Sequence, residues 1–346
     1  MRRVRVPPGG FRRIAVLRLS SLGDVVLALP VTHELARAFP GARLEFWTKE
    51  EYADVVRFDP RVAHVRSLER DARRIEDLVS MSAELEECDL IVDLHGSLRT
   101  RLLAFRQRAI VLRSPSYRMR RMRWVHARWS APGPLPHALE RYARALRPLG
   151  LACADAPKVT PGDEARAWAS GWLGDWPGVE PVVVFCPGAR HATKRWPEEH
   201  WVALHGLVRA RGARVLAVSL AAERRALPVL AGVVDGDPGA RWCTEPLARL
   251  AALLERCPRA VTHDSGLMHL AAACGSRVVA LFGSTSPALG FAPAGEGHVV
   301  LCRQEPCQPC TLHGLPRCPK RHFDCMVKLD PEQVVDALAR VGALPA

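Results

Sequence analysis

The residues best suited to chemistry lie in segment 262–269, THDSGLMH, where two histidines, an aspartate, a serine and a glycine are crowded together. The apolar residues before this segment predict a strand, and the apolar residues from Leu267 to Cys274 predict a helix that ends at Gly275. A second buried strand is predicted over Arg277 to Gly283. Strand, tight turn, helix and strand form a βαβ unit, and its turn lies where open α/β sheets bind ligands.

Two interpretations of this turn are open. Free backbone N–H groups and the partial positive charge at a helix N-terminus favour a phosphate group as the ligand. The structural alternative is that Asp264 or Ser265 only caps the helix, which is common in any α/β protein. The choice between them depends on the other turns of the chain.

A similar turn follows the first predicted strand, Arg12 to Leu19. Here SSLGD, residues 20–24, leads into a helix predicted over Val25 to Phe39. Gly23 allows close approach of the backbone, and Asp24 lies at the carboxyl end of the strand, where a carboxylate can serve as a general base. The alternative is that Asp24 only complements the dipole of the helix.

A loop rich in basic and hydroxyl side chains, residues 188–197 (GARHATKRWP), follows the strand predicted over Val182 to Cys186. Such side chains beside a helix start, with Pro197 expected at its first position, can hold a diphosphate. Neither domain has the Walker spacing GxxxxGKS or GxGxxG in its first turn, which argues against a P-loop protein or an ordinary dehydrogenase. Glu223 follows the next predicted strand, where an acid can bind a ribose; an exposed helix glutamate is the alternative.

Strands and helices alternate along the chain, which predicts an α/β fold with parallel sheets covered by helices on both faces. At 346 residues, two domains are expected. A Pro- and Gly-rich region around residues 152–181 predicts the linker, which gives doubly wound domains over 1–165 and 175–346. Further strands are predicted at Ala42 to Thr48, His64 to Leu68, Leu90 to Leu94 and Ala213 to Leu220, and further helices at Arg73 to Glu87, Ala138 to Leu149, Pro197 to Arg211, from about Ala222, Pro246 to Cys257 and Pro331 to Val341.

Charge and hydropathy narrow the class of protein. No apolar run of about eighteen residues occurs, so no membrane-spanning segment is expected. The basic N-terminus is interrupted by Pro7 and Pro8 before a signal-peptide core forms, which predicts a cytosolic protein. The net charge of +13 indicates an anionic partner: a nucleotide, a nucleic acid or a phosphorylated membrane surface.

Much of the positive charge lies between Arg99 and Arg128, where ten arginines and no acidic residue occur, beside Tyr117, Trp124 and Trp129. One interpretation is a surface for phosphate groups, on an acceptor or at a membrane face. A solvated basic face is the alternative.

Five of the eleven cysteines lie in segment 302–325. The spacing Cys307-x-x-Cys310, followed by Cys318 and Cys325 with Cys302, His313 and His322 nearby, suits zinc or an iron–sulfur cluster. The alternative is a set of reduced thiols in an irregular loop, since an odd cysteine count fits a disulfide framework poorly. We expect reduced thiols and no metal.

Three motifs together resemble those of glycosyltransferase family 9, the bacterial ADP-heptose:lipopolysaccharide heptosyltransferases. They are SSLGD after the first strand, PGARHATKRWP after the middle one and HDSGLMHLAAACG near the end. The resemblance extends over nearly the whole chain and includes HALERYARALRPLG before the linker. Any one motif is unspecific, whereas three in register indicate the family.

The resemblance implies a GT-B fold, with an N-terminal acceptor-binding and a C-terminal nucleotide-sugar-binding Rossmann-like domain around a central cleft. It implies inverting transfer of heptose from ADP-heptose to the phosphorylated lipid A–core of lipopolysaccharide. The expected location is the cytoplasm, at the inner-membrane face, with peripheral contact through Arg99 to Arg128. No cofactor and no nucleic acid are expected.

The resemblance also assigns roles to residues. Asp24 becomes the general base, Lys194 faces the donor diphosphate with Thr193 beside it, and Glu223 contacts the ribose. Asp264 carries the same negative charge as a diphosphate, so it is interpreted as a cap or as a contact to the ribose or a cation, and not as a direct phosphate ligand. The other donor-binding residues implied are Ser21, Gly23, Ser265, Gly266, Leu267, Met268 and His269.

Other functions remain open at this point. Within the family, the donor can be another nucleotide sugar, or the acceptor a protein. A hypothesis from another class is a non-catalytic nucleotide- or RNA-binding homologue, although the presence of both Asp24 and Lys194 argues against it.

Overall fold

Parallel sheets form the centres of two units in this chain. The computed structural model describes residues 4–68, 81–105, 107–127, 135–176, 178 and 180–344. Unit 1 comprises Met1–Tyr117 and Ala138–Thr160, and unit 2 comprises Arg118–His137 and Pro161–Ala346. This division differs from the sequence-based domains, because residues 118–137 group with unit 2.

The described part of unit 1 contains a five-stranded parallel sheet. Its strands are β1 Arg13–Leu17, β2 Arg43–Lys49, β3 His64–Leu68, β4 Leu90–Asp93 and β5 Ile110–Arg113. The helices around it are Leu22–Ala38, Glu50–Arg57, Leu98–Leu103 and Ala138–Ala143, the last continued by the 3₁₀ segment Arg144–Leu149. Residues 81–85 are also helical, and the predicted helix residues before them, 73–80, lie outside the described residues.

The strand order in unit 1 is β3-β2-β1-β4-β5. The order reverses between β1 and β4, which pair in parallel with Val16 opposite Val92. In open α/β sheets, ligands bind outside the carboxyl ends of the strands at such a switch point. The apolar residues of β1 are fully buried, because helices cover both faces of a parallel sheet. The residues that follow β1 and β4 are therefore the candidates for a site at this switch point.

Unit 2 repeats this topology with a sixth strand. Its strands are β6 Val182–Cys186, β7 Arg214–Val218, β8 Ala240–Cys243, β9 Arg259–His263, β10 Arg277–Phe282 and β11 Val299–Cys302. The order β11-β10-β9-β6-β7-β8 places the switch point between β6 and β9. The helices are Arg118–Ala127, Asp163–Leu173, Glu198–Ala210, Ala221–Arg225, Pro228–Asp235, Leu247–Arg256, Gly266–Ala273, Asp324–Val327 and Pro331–Arg340.

Large aromatic side chains fix the loop after β6 to the core of unit 2. Trp196 and Trp201 are fully buried, and their rings meet edge to face at 5.4 Å. The Trp196 indole donates a hydrogen bond to the Leu329 carbonyl (2.9 Å), and its backbone N–H donates to His263 Nε2 (2.8 Å). Buried aromatic groups with satisfied polar atoms hold a loop firmly, so the turn before Trp196 has a defined position at the switch point.

Two sequence-based expectations differ from the structure. The predicted linker contains the helix Asp163–Leu173, which buries Ala165, Ala169 and Leu173 on one face; its glycines disguised the helical spacing. Pro197 is the N-cap of the helix Glu198–Ala210, one position before the expected site. Among the helices of the described ranges, none has the length and apolar character needed to cross a membrane.

Candidate active site

Asp24 lies in the third position of the helix that follows β1, at the switch point of unit 1. Its carboxylate forms an ion pair with Arg18 at 2.8 Å and accepts a hydrogen bond from the Tyr142 hydroxyl at 2.7 Å. The Ser21 hydroxyl and backbone N–H also donate to it, at 3.0 and 3.4 Å. Asp24 therefore does contribute to the helix start, as the structural alternative predicted, and is also the centre of a charged cluster.

The surroundings of Asp24 favour its ionised form. Burial alone would raise the pKa of this carboxyl group, but the Arg18 charge and the hydrogen bonds from Tyr142 and Ser21 outweigh it. The net result is a pKa well below the ordinary range. The Asp24 side chain as a whole keeps 19% of its surface exposed.

Arg18 is held in turn by several groups of unit 1. It donates to the Leu94 carbonyl at 2.7 Å and lies over the Tyr142 ring, 5.4 Å from the ring centroid. Burial and the nearby Arg18 charge lower the pKa of His95 to about 4, so the imidazole is neutral at pH 7. His95 thus offers a neutral hydrogen-bonding ring beside the Asp24–Arg18 pair.

Lys194 occupies the corresponding switch point of unit 2, in the short 3₁₀ segment Ala192–Lys194. Its Nζ lies 2.6 Å from Asp264 Oδ2 and 3.1 Å from the Asp264 carbonyl oxygen. Thr285 donates to the same carboxylate oxygen at 2.6 Å. Asp264 is therefore the ion-pair partner of Lys194 within unit 2.

Thr193 ties the Lys194 turn to the cysteine-rich segment 302–325. Its hydroxyl donates to the Leu315 carbonyl at 3.1 Å and accepts from the Leu315 N–H and the Ser284 hydroxyl, both at 2.8 Å. The Thr193 backbone N–H also donates to Leu315. Thr193 is 1% exposed, so its side chain positions the turn, and its contacts are internal.

Glu223 lies directly against the start of the same loop. A Cβ atom built on Gly188 would lie 2.1 Å from Glu223 Oε2, so a side chain at position 188 would require the Glu223 carboxylate to move. Glu223 also accepts the Leu220 N–H at 3.0 Å, which closes the first turn of its helix. The structure thus brings Glu223 to the carboxyl end of β6, beside the loop that carries Lys194.

The helix Gly266–Ala273 begins at this switch point, with Ser265 as N-cap. The Ser265 hydroxyl makes no hydrogen bond within the described residues. Leu267 is half-buried at the first turn. Met268 and His269 are buried, at 0% and 5% exposure, so their side chains belong to the interior. Ser21 and Gly23 belong to unit 1, at the start of the helix that carries Asp24.

The cysteine-rich segment supports the Lys194 turn through backbone hydrogen bonds. Besides the Leu315 contacts, the Cys310 N–H donates to the Ser284 carbonyl at 2.9 Å. Burial, together with the neighbouring thiols of Cys310, Cys307 and Cys318, raises the pKa of Cys325 to about 12. All cysteines are free, and across the described residues no group of three or more Cys, His, Asp or Glu side chains is arranged to hold a metal ion.

The arginine-rich stretch is divided between the units. The helix Leu98–Leu103 and β5 belong to unit 1, whereas the helix Arg118–Ala127 belongs to unit 2. In unit 2, Arg121 lies over the Phe291 ring at 5.5 Å. Trp129 lies outside the described residues. Residues of the stretch thus belong to both units.

Sequence reasoning missed Arg18, Tyr142 and His95. Arg18 had a signal, since it is a charged residue at the end of an otherwise apolar strand. Tyr142 lies within the motif HALERYARALRPLG, but its contact with Asp24 spans 118 residues. No local pattern predicts such a contact.

Comparisons with known proteins identify the family of the chain. The family model described as Glycosyltransferase family 9 (heptosyltransferase) matches residues 78–316. Lipopolysaccharide heptosyltransferase 1 of Pseudomonas aeruginosa is 28% identical, over 96% of this chain and 99% of that protein.

Two solved structures show the same fold. A glycosyl transferase family 9 protein from Veillonella parvula has a TM-score of 0.77 at 21% identity, covering 95% of this chain and 97% of its own. The E. coli ADP-heptose lps heptosyltransferase II has a TM-score of 0.71 at 19% identity, covering 95% and 98%. The fold is thus of the GT-B type, as predicted. The match of the family model over most of the chain confirms the predicted family: this chain belongs to glycosyltransferase family 9 and is a glycosyltransferase.

Proposed function

We propose that this protein is an inverting heptosyltransferase that moves heptose from ADP-heptose to the inner core of lipopolysaccharide. The observation that carries the proposal is the pair of switch points. The one in unit 1 has the hydrogen-bonded carboxylate of Asp24, and the one in unit 2 has Lys194 beside the N-terminus of a helix. The P. aeruginosa relative, named lipopolysaccharide heptosyltransferase 1, supports the acceptor class through its match along the whole chain. The E. coli structure named for ADP-heptose supports the donor.

We assign donor binding to unit 2. The Lys194 ammonium and the free N–H groups at Gly266 supply positive charge for a diphosphate. Glu223, whose carboxylate lies against Gly188, is assigned to the ribose, because a carboxylate accepts hydrogen bonds from hydroxyl groups. Thr193 keeps the Lys194 turn in place through Leu315 and Ser284.

We assign proton removal to Asp24. In the reaction, the acceptor hydroxyl oxygen forms a bond to the anomeric carbon while the bond from that carbon to the phosphate oxygen breaks. ADP leaves with the bonding electron pair, and the hydroxyl proton passes to the Asp24 carboxylate. With its low pKa, Asp24 is a weak base, but the hydroxyl becomes acidic as its oxygen bonds to the cationic sugar carbon. Late proton transfer is therefore sufficient.

Lys194 and the Gly266 helix start stabilise the charge that grows on the departing ADP. Such preorganised cationic and N–H groups act most strongly where charge develops in the transition state. This charge compensation is the reason the proposal includes no metal cofactor. Because the proposed acceptor is anchored in lipid, we place the reaction at the cytoplasmic face of the inner membrane.

The test is incubation of the purified protein with ADP-heptose and lipid A–core acceptors truncated at successive sugars, with products identified by mass. The proposal expects one acceptor to gain one heptosyl group, and Lys194→Ala to abolish most of that gain. Transfer from a different nucleotide sugar, or to a protein only, would replace the proposed donor or acceptor. ADP or RNA binding without any sugar transfer would overturn the catalytic assignment.

A further inference from the structure

Three exposed apolar side chains lie in and just after a short helix in unit 1. Leu98, Leu102 and Phe105, in and just after the helix Leu98–Leu103, are 74%, 53% and 67% exposed. The spacing of i and i+4 places Leu98 and Leu102 on a single helical face, and Phe105 follows in the turn that ends the helix. The opposite face buries Thr100 and Leu103 against the unit. We refer to the three exposed side chains as the apolar ridge.

Basic residues flank the apolar ridge. At about 100° per residue, Arg99 and Arg101 lie on either side of it. Arg101 is exposed and Arg99 half-buried. Arg108 and Arg113, farther along in unit 1, are exposed, and Arg113 lies 3.6 Å from Asp93. The sequence contains no acidic residue between Asp93 and Glu140. A hydrophobic strip with basic flanks is the pattern of a surface that lies in the interface of an anionic bilayer.

The apolar ridge is also close in the chain to the candidate base. The helix that carries it starts at the carboxyl end of β4, after His95 and the N-cap Ser97. His95 is near enough to Arg18 and Asp24 for their charges to affect its pKa. A lipid-borne substrate held at the ridge would therefore present its headgroup near the switch point of unit 1.

We propose that Leu98, Leu102 and Phe105 seat unit 1 on a lipid surface that carries anionic headgroups, with the flanking arginines contacting those headgroups. The charge pattern favours this occupant over a second copy of the chain. A symmetric contact through the same face would bring the arginines of both copies together. The inference deepens the proposed function, because it supplies the surface through which a lipid-anchored acceptor is reached.

Vesicle sedimentation tests the apolar ridge. The wild-type protein is mixed with vesicles of phosphatidylcholine alone and of phosphatidylcholine with phosphatidylglycerol, and the bound fraction is measured at low and high salt. We expect binding to the anionic vesicles, weakened by salt. The variant Leu98→Ser/Leu102→Ser/Phe105→Ser should lose about tenfold or more of the vesicle affinity. A variant with serine at Val229 and Val327, which are 59% and 47% exposed in unit 2, should bind as the wild type does.

Further measurements separate this inference from the proposed function. The ridge variant should keep the wild-type thermal midpoint, because the substituted side chains are exposed, and should keep the wild-type rate on a water-soluble core acceptor without lipid chains. If the wild type binds anionic vesicles through the ridge but transfers no heptose, the proposed function fails and the inference about the ridge is still supported. Equal vesicle binding by the wild type and the ridge variant would overturn it. So would a ridge variant that changes only the oligomeric state, which would assign the ridge to a second copy.

Discussion

The two sheets have the same strand order around their switch points, but the candidate functional groups there carry opposite charges. In unit 1, the carboxylate of Asp24 is backed by Arg18 at 2.8 Å. In unit 2, the ammonium of Lys194 is backed by Asp264 at 2.6 Å. Topology thus determines where each site lies, while the residues of the first turn determine the sign of the group presented. We interpret the difference as a division of labour between proton removal and donor binding.

The largest effect is expected from Asp24→Asn. The amide keeps the shape of the side chain but cannot accept the proton, so the transfer rate should fall by about 10²–10⁴-fold. Product formation from saturating ADP-heptose is the measurement. The control is Asp163→Asn, which removes a fully exposed carboxylate at another helix start. Near-normal turnover of Asp24→Asn would remove the base role.

Lys194→Ala should act on both donor binding and turnover. Loss of one group that stabilises developing charge costs about 10²–10³-fold in rate. Steady-state kinetics with varied ADP-heptose measure the effect, and Lys328→Ala, at a lysine 57% exposed in the same unit, is the matched control. Unchanged donor kinetics would separate Lys194 from the diphosphate.

Arg18→Met should change the pH dependence of transfer. In the wild type, Asp24 stays ionised below the ordinary aspartate pKa of about 3.9, so its protonation does not limit activity near neutral pH. Without Arg18, burial raises the pKa of Asp24. The value of kcat should then fall as the pH decreases from neutral, while Tyr142→Phe should shift the profile in the same direction by less. Superimposable profiles would show that Arg18 does not tune the base.

Thr193→Val should have a smaller effect. It removes the hydroxyl that bonds Leu315 and Ser284, and one lost hydrogen bond is worth about 1 kcal/mol. We expect a roughly fivefold or larger rise in the KM for ADP-heptose with less change in kcat. Thr193→Ser keeps the hydroxyl and should restore the wild-type KM. A change confined to kcat would contradict a positioning role.

The cysteine-rich segment is a further difference between the two switch points, because it supports the Lys194 turn of unit 2 through Leu315. We expect reduced thiols there and therefore no stoichiometric zinc or iron in the purified protein, by elemental analysis. A chelator should leave the thermal midpoint and the donor KM unchanged. One metal ion per chain would instead assign Cys307, Cys310, Cys318 and Cys325 to a structural centre of unit 2.

The fold was largely predictable because apolar runs mark buried parallel strands: Val182–Cys186, for example, was predicted with its observed bounds. Shorter or more polar strands, such as Ala240–Cys243, lack that signal. The residues at the ends of the strands were predictable from motif position. Their partners were not, since Tyr142 reaches Asp24 only after the chain has folded around the sheet.

The most direct test of the division of labour is the ADP affinity of Asp24→Asn and Lys194→Ala, measured side by side by calorimetry. The account predicts wild-type affinity for Asp24→Asn and clearly weaker binding for Lys194→Ala. Equal weakening in both variants, or weakening in Asp24→Asn alone, would contradict it.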